Sequence, residues 1–306
     1  MVPEFRIRSA SGSSGAIESL AGSELSSTLF NLRNHSRISQ SNRYERVKQV
    51  FQALFPSLSL EAVQSEPGSN LPEVLFYERG RPSSLRLSQI SVGIHETLSM
   101  ITNLVEREGL VFFIEHPEEH LHPHAMRFLD SFLKEASHRS QIIVTTHNPY
   151  FVDPEAPDRL RRFWRTDTGN KVTHHVLSGL SAKENGQLQT ALREIGNREV
   201  VFARAALLVE EETTRTFLSE ITKIHGPDLH ANGISMLPVD GEGGFKPFHK
   251  LLDGLGIPHV NLRDPSWGHN PRYPLDRFFS LANQGASSFE EYMDSQGFES
   301  LRKSCS

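Results

Sequence analysis

The sequence predicts an α/β protein built from two successive parallel-sheet series. Three observations predict it. VFFI (111–114) and QIIVTTH (141–147) are short, continuous apolar runs separated by a helical stretch over 124–137. Runs of this kind suit strands buried on both faces, and a helix between two of them makes a β-α-β unit with parallel strands. A second strand-helix series then runs through AALLVEEETTRTFLSEI (205–221), ISMLPVDGEGG (234–244), a helix near 246–255 and IPHVNLRD (257–264). In both series the polar and acidic residues fall where a strand ends, the edge at which open α/β sheets bind ligands.

Taken in order, residues 9–28 are rich in Ser, Gly and Ala and read as a loop. YERVKQVFQALF (44–55) places Val47, Val50, Phe51, Leu54 and Phe55 at helical intervals, and Pro56 stops that helix. Residues 73–77 read as a strand, and a long helix starts near Val92 with Leu98, Ile101, Leu104 and Val105 on one face. Residues 162–176 predict a hairpin around Thr168-Gly169-Asn170. Residues 179–204 are polar, helical in part, and read as a connector. From about 265 the tail has no period, and the chain shows no internal repeat.

Composition narrows the function classes. The 306 residues suit about two domains, and 37% of them are hydrophobic. A formal charge of -5 gives no global drive toward nucleic acid but leaves room for a local basic face. The single cysteine, Cys305, excludes a disulfide framework and a cysteine-rich zinc site. No apolar run approaches the roughly 18–20 residues that span a bilayer, and the N-terminus lacks the apolar core of a secretory signal. The expectation is a soluble, cytoplasmic protein.

In the first series Glu115 stands at the tip of an apolar strand, where a carboxylate can hold magnesium or its water. His147 ends the next strand, within reach of a terminal phosphate. Ser91-Val92-Gly93 opens the long helix, whose free amides and dipole favour an anion. These features resemble the C-terminal half of an ABC-type ATPase head, in the branch found in the overcoming-lysogenization-defect (OLD) nucleases. Ser91 and Gly93 match the signature motif, Glu115 the Walker B acid and His147 the switch histidine. Pro117, Glu118, Leu121, His122 and Pro123 match the "PE…LHP" stretch. In such heads the signature serine touches ATP bound to a partner head, so the resemblance implies a dimer.

Two departures stand out. No G-x-x-x-x-G-K-[ST] occurs, since GSSGAIES (12–19) and GEGGFKPF (241–248) lack the Lys-Ser/Thr pair, so the chain is expected to begin after the phosphate loop. His116 occupies the place of the water-polarising glutamate. Neutral histidine lacks that negative charge, so ATP hydrolysis by this chain alone is expected to be slow or absent. His120, His122 and His124 have spacing compatible with a metal but read rather as packing and capping residues.

In the second series Glu210, Asp240 and Asp264 stand at three successive strand tips. Like charges so close raise each other's pKa, and a divalent cation removes that cost. The arrangement resembles the Toprim domain of topoisomerases, primases and OLD nucleases. Val209-Glu210 and Thr213 match the first motif, with Glu211 in place of its glycine and Thr214 in place of its later acid. Asp240-Gly241 falls at the middle turn, and Asp264-Pro265-Ser266 keeps only the first acid of the last motif. Glu211 and Glu212 are candidates to compensate. Lys246, His249, Lys250 and Arg263 lie near these acids, and Lys246 and Arg263 are the candidates for DNA contact.

Together the resemblances imply the C-terminal half of an ABC-type ATPase head plus a Toprim-like parallel-sheet domain. They divide the chain into a partial ATPase domain (1–178), a connector (179–204) and a Toprim-like domain with its tail (205–306). They imply an ATP-regulated, Mg²⁺- or Mn²⁺-dependent DNA endonuclease, in phage defence or DNA processing. It would act as a homodimer or with a chain carrying the missing ATPase half. The alternative that stays open is a catalytically degenerate partner that binds protein or DNA without cutting.

Overall fold

The computed structural model describes residues 6–8, 22–65, 71–166, 169–173, 179–225 and 228–262. The chain divides into two compact units, Met1–Phe151 and Val152–Ser306.

In the first unit, α1 (Gly22–Arg33), α2 (Ile38–Leu54), α3 (Val92–Glu106) and α4 (Pro123–Ala136) pack around two sheets. Residues 22–28, expected in a loop, are helical instead. Leu25, Leu29 and Leu32 recur at i, i+4 and i+7 and are buried, each stabilising the fold by roughly 1.5–3 kcal/mol. In α2 the buried positions are Tyr44, Val47, Val50, Phe51 and Leu54, and the helix stops just before Pro56, which has no N–H to continue it. α3 buries Thr97, Thr102 and Asn103, whose side chains donate to the carbonyls of Gly93, Leu98 and Ser99 one turn back, so these donors are engaged inside the core.

The antiparallel sheet of this unit consists of β2 (Leu58–Gln64), β3 (Pro72–Glu78) and β4 (Ser84–Arg86). Glu61 on β2 is ion-paired to Lys48 and Arg33 and bonded to Tyr44. Burial pushes the Tyr44 hydroxyl up to about 12. The second sheet has the order β1-β5-β6: β1 (Arg6–Arg8), β5 (Val111–Glu115) and β6 (Gln141–Thr145). β5 and β6 are parallel, joined through α4 as expected, with Glu115 beside Thr145 at their carboxyl ends.

The second unit carries the antiparallel pair β7 (Phe163–Thr166) and β8 (Gly169–Val172) within the span 162–176 expected for a hairpin, with Gly169 and Asn170 paired in β8 rather than in the turn. Next come α5 (Ala182–Arg193), α6 (Ile195–Arg198) and a 3-10 turn over Glu199–Phe202. α5 opens on a capping box in which Ser181 and Glu184 satisfy each other's backbone N–H groups. This polar stretch is more than a linker: Leu188 and Leu192 are buried in a core with Leu208, Phe248, Leu251 and Leu252. The central sheet is β10 (Ile234–Pro238), β9 (Ala205–Val209) and β11 (His259–Leu262), in that order and all parallel. α7 (Glu212–His225) links β9 to β10, and α8 (Phe245–Gly254) carries the chain back across β9 to β11. β9 is buried at every position and has a neighbour strand on each side. Because the chain leaves β9 to one side for β10 and then crosses back to β11 on the other side, the carboxyl end of β9 lies at a topological switch point.

Among the described residues no helix is long and apolar enough to cross a membrane.

Candidate nucleotide and metal sites

Each unit gathers polar groups at the carboxyl end of its parallel strands. In the first, Ser91 caps α3 by accepting the Ile94 N–H at 3.4 Å and is exposed beside Val92. Gly93 is buried, and a Cβ there would lie 2.5 Å from the His120 ring, so the helix start admits His120 only because residue 93 has no side chain. Glu115 is exposed at the tip of β5. His116 follows with φ +46°, a left-handed turn that aims its ring at His147. The two rings stack with centroids 5.1 Å apart. A narrow cleft of about 40 Å³ is lined by Gly93, Glu96, Glu115 and His116. Of the expected residues of this unit, the fold thus brings Gly93, Glu115 and His116 to one cleft and stacks His147 on His116.

Glu118 does more here than its match to the "PE…LHP" stretch implies. Its side chain is 11% exposed, and Oε1 accepts from the Thr146 hydroxyl at 2.7 Å and the His147 N–H at 3.3 Å. It therefore builds the turn that presents His147. Its signal in the sequence was its place in that stretch, three residues past Glu115. Glu96 was also missed; burial raises its carboxyl, with Glu119 adding to the shift and His120 opposing it. His122 is the N-cap of α4, accepting the His124 N–H, and their rings stack 5.5 Å apart.

In the second unit the switch point is closed by backbone bonds. Val239 N–H donates to Val209 O and Gly241 N–H donates to Glu210 O, both at 3.0 Å, so Glu210 and Asp240 sit on neighbouring strand ends. Asp240 and Gly241 have φ +54° and +90°, a turn that the glycine accommodates at no steric cost. Gly244 is required for a different reason: a Cβ there would lie 1.6 Å from the Val239 carbonyl oxygen. Beside Asp240 opens a cavity of about 370 Å³ lined by Lys183, Gln187, Thr190 and Phe248.

Other candidates are already engaged. Glu211 accepts from the Thr213 hydroxyl at 3.1 Å, and Glu212 holds Arg215 at 2.5 Å. Lys246 is ion-paired with Glu184 at 2.5 Å, and that bond, with those from Ser181, holds the Glu184 carboxyl down to about 2. His249, placed by the sequence near these acids, is buried in the sheet-facing side of α8 and bonded to His259 and Asn261. Arg263 and Asp264 lie outside the described residues. Among the described residues no group of three or more His, Cys, Asp or Glu side chains is poised to hold a metal. Glu210 and Asp240 still place two hard oxygen donors on adjacent strand ends, a donor type that fits Mg²⁺ or Mn²⁺.

Comparison with known proteins agrees with this division. Residues 13–153 match the family described as an AAA domain, putative AbiEii toxin of a type IV toxin–antitoxin system. Residues 201–265 match the overcoming lysogenization defect protein-like Toprim domain. The chain is 32% identical over 187 residues to the OLD nuclease of Thermus scotoductus, covering 58% of this chain and 34% of that protein. It is 24% identical over 164 residues to the Old nuclease of Escherichia phage P2, covering 52% and 28% respectively. An uncharacterized protein of Methanocaldococcus jannaschii is 22% identical over 245 residues, covering 79% of this chain and 29% of that protein. The chain thus spans about a third of the length of these curated relatives. An AAA-type ATPase match followed by an OLD-like Toprim match makes the chain similar to the OLD nucleases over these two stretches.

Proposed function

We propose that the chain serves in an ATP-regulated, divalent-metal-dependent DNA endonuclease acting in phage defence or DNA processing. The observation that carries this reading is the pairing of Glu210 and Asp240 on neighbouring strand ends at the switch point of the second unit. In this reading these two residues, with Asp264, hold Mg²⁺ or Mn²⁺. The bound ion supplies activation of the attacking water and stabilisation of the leaving oxygen. Arg263 contacts the DNA backbone, as does Lys246 once it leaves Glu184.

In the first unit, Glu115 is assigned to the magnesium of a bound nucleotide and His147 to its terminal phosphate. Ser91 and Gly93, at the N-terminus of α3, are assigned to a nucleotide held by a second head. That head is another copy of this chain or a chain carrying G-x-x-x-x-G-K-[ST]. With His116 in place of a carboxylate, hydrolysis by this chain alone is slow or absent, and nucleotide acts by binding.

The test is Mn²⁺-dependent cleavage of plasmid DNA by the purified chain, alone and with ATP. Cleavage that disappears in Glu210→Ala and in Asp264→Ala supports the proposal. Cleavage that survives both substitutions comes from another nuclease and removes its basis. A second reading, a non-cutting partner subunit, is favoured by one observation: Glu212 is committed to Arg215, and Thr214 offers no carboxylate to replace it. Binding of DNA without any cutting under the same conditions selects that reading.

A further inference from the structure

The cavity of about 370 Å³ beside Asp240 is larger than the metal edge alone requires. Its volume falls in the range that encloses small ligands or parts of larger ones, about 300–1,000 Å³. One wall of it is α5. Lys183, Gly186, Gln187 and Thr190 recur there at i, i+3, i+4 and i+7, a spacing that puts them on one helix face. In an amphipathic helix that spacing usually carries apolar residues facing a core. Here Leu188 and Leu192 carry the core contact, and the face beside them is polar.

The three polar side chains are uncommitted. Lys183 and Thr190 are exposed and Gln187 is half-buried, and none of them makes a side-chain hydrogen bond or ion pair among the described residues. Glu184, next to Lys183, does not compete for it, because its carboxylate is held by Lys246 and the Ser181 N–H. Gly186 is a second, independent observation. Glycine in a helix interior is unfavourable. Yet no packing requires it, since a Cβ there would meet no atom within 4 Å outside the helix's own backbone. Its missing side chain leaves that wall of the cavity open.

The lining suits an anion with an apolar flank. The Lys183 ammonium, the Gln187 carboxamide and the Thr190 hydroxyl can all donate to phosphate oxygens. Val239 and Phe248, both buried, supply apolar surface. Asp240 only accepts, and it repels an anion unless a divalent ion lies between them. A DNA strand meets both conditions. One phosphate shares the ion with Asp240, and the neighbouring phosphate, one sugar away, reaches the donors of α5.

We propose that this face of α5 binds the DNA strand beside the metal edge, with Lys183 on a backbone phosphate and Gln187 and Thr190 supporting it. The site rests on the nuclease reading for its ion at Asp240 and deepens that reading by naming where the strand runs.

The test is fluorescence anisotropy of a short labelled DNA duplex with the full chain in Ca²⁺, an ion that takes oxygen ligands, across a range of salt. Lys183→Ala should weaken binding roughly three- to tenfold and lower the slope of log affinity against log salt by about one. Gly186→Leu changes no charge and introduces a better helix former, so it should weaken binding by a similar factor while Tm holds or rises. Should Gly186→Leu lower Tm, Gln187→Leu takes its place, with the same weakening expected. Variants that bind DNA as the unaltered chain does would overturn the site. Weakening by Lys183→Ala alone would make that residue a surface contact and overturn the cavity equally. Phosphorus-31 NMR separates a free anion from the strand: inorganic phosphate whose binding is lost in Lys183→Ala while DNA binding persists would overturn the DNA assignment. An unaltered chain that binds DNA in Mn²⁺ without cutting it fails the nuclease reading, and the variants still decide the site. An unaltered chain that binds no DNA overturns both.

Discussion

Gly244→Ala isolates one packing constraint at the proposed metal edge. Gly244 has φ -76°, which any residue adopts, so the substitution strains no dihedral. Its cost is contact alone: the new Cβ would lie 1.6 Å from Val239 O and 2.6 Å from Val239 C. Both are backbone atoms with no rotamer to escape into. Val239 is tied to Val209 and Gly241 to Glu210, so relief of the clash must stretch that pairing. Overpacking of this kind costs about 1–3 kcal/mol. Loss of one backbone hydrogen bond adds about 1 kcal/mol, for a sum of roughly 2–4 kcal/mol. In a unit of this size each kcal/mol lowers Tm by about 2–4 °C, so a fall near 10 °C is expected. The control is in the same turn: Gly243→Ala meets only the Gln187 side-chain nitrogen at 3.7 Å, ordinary contact, and should change Tm by less than about 2 °C. Thermal unfolding by circular dichroism reads both. Equal effects of the two substitutions would refute the reasoning.

Three further outcomes follow from other parts of the molecule. The Glu184 carboxyl is held down to about 2, so the stability it contributes is present above its unfolded value of 4.5 and is lost as pH falls from there toward 2. Lys246→Ala should move its titration upward, read by carboxyl carbon NMR, with high salt producing part of the same change in the unaltered protein. Leu188→Ala removes a fully buried side chain from the second unit's core and should cost about 2–5 kcal/mol in urea unfolding; a cost under about 0.5 kcal/mol would return that helix to the role of linker. His122→Ala removes the α4 cap, whose bond at 3.4 Å is long, and should cost about 0.5–1 kcal/mol, with His122→Asn restoring most of it.

The sequence was most legible where burial is continuous. The β5-α4-β6 unit and the strands β9, β10 and β11 announce themselves as apolar runs bounded by acids, and their tips locate Glu115, Glu210 and Asp240 without coordinates. It was least legible where a helix buries only a narrow stripe. α1 hides three leucines among serines, and α5 buries just Leu188 and Leu192, so composition reads as loop and linker although each contributes to a core. Long-range polar pairing left no trace at all. His249 looks like one more polar residue near a basic turn until β11, ten residues on, supplies His259. Glu118 was visible in the "PE…LHP" stretch, but its bond to Thr146 joins residues 28 apart, and only the parallel alignment of β5 and β6 puts them side by side.

The account depends on carboxylates from separate strands holding a divalent ion together. The direct measurement is Mn²⁺ binding to the full chain by electron paramagnetic resonance, compared with Glu210→Gln, Asp240→Asn and the double substitution. Each single change is predicted to weaken binding by at least about tenfold, equal to 1.4 kcal/mol, and the double change to abolish it. Mn²⁺ bound equally well by the unaltered chain and the double variant would contradict the account.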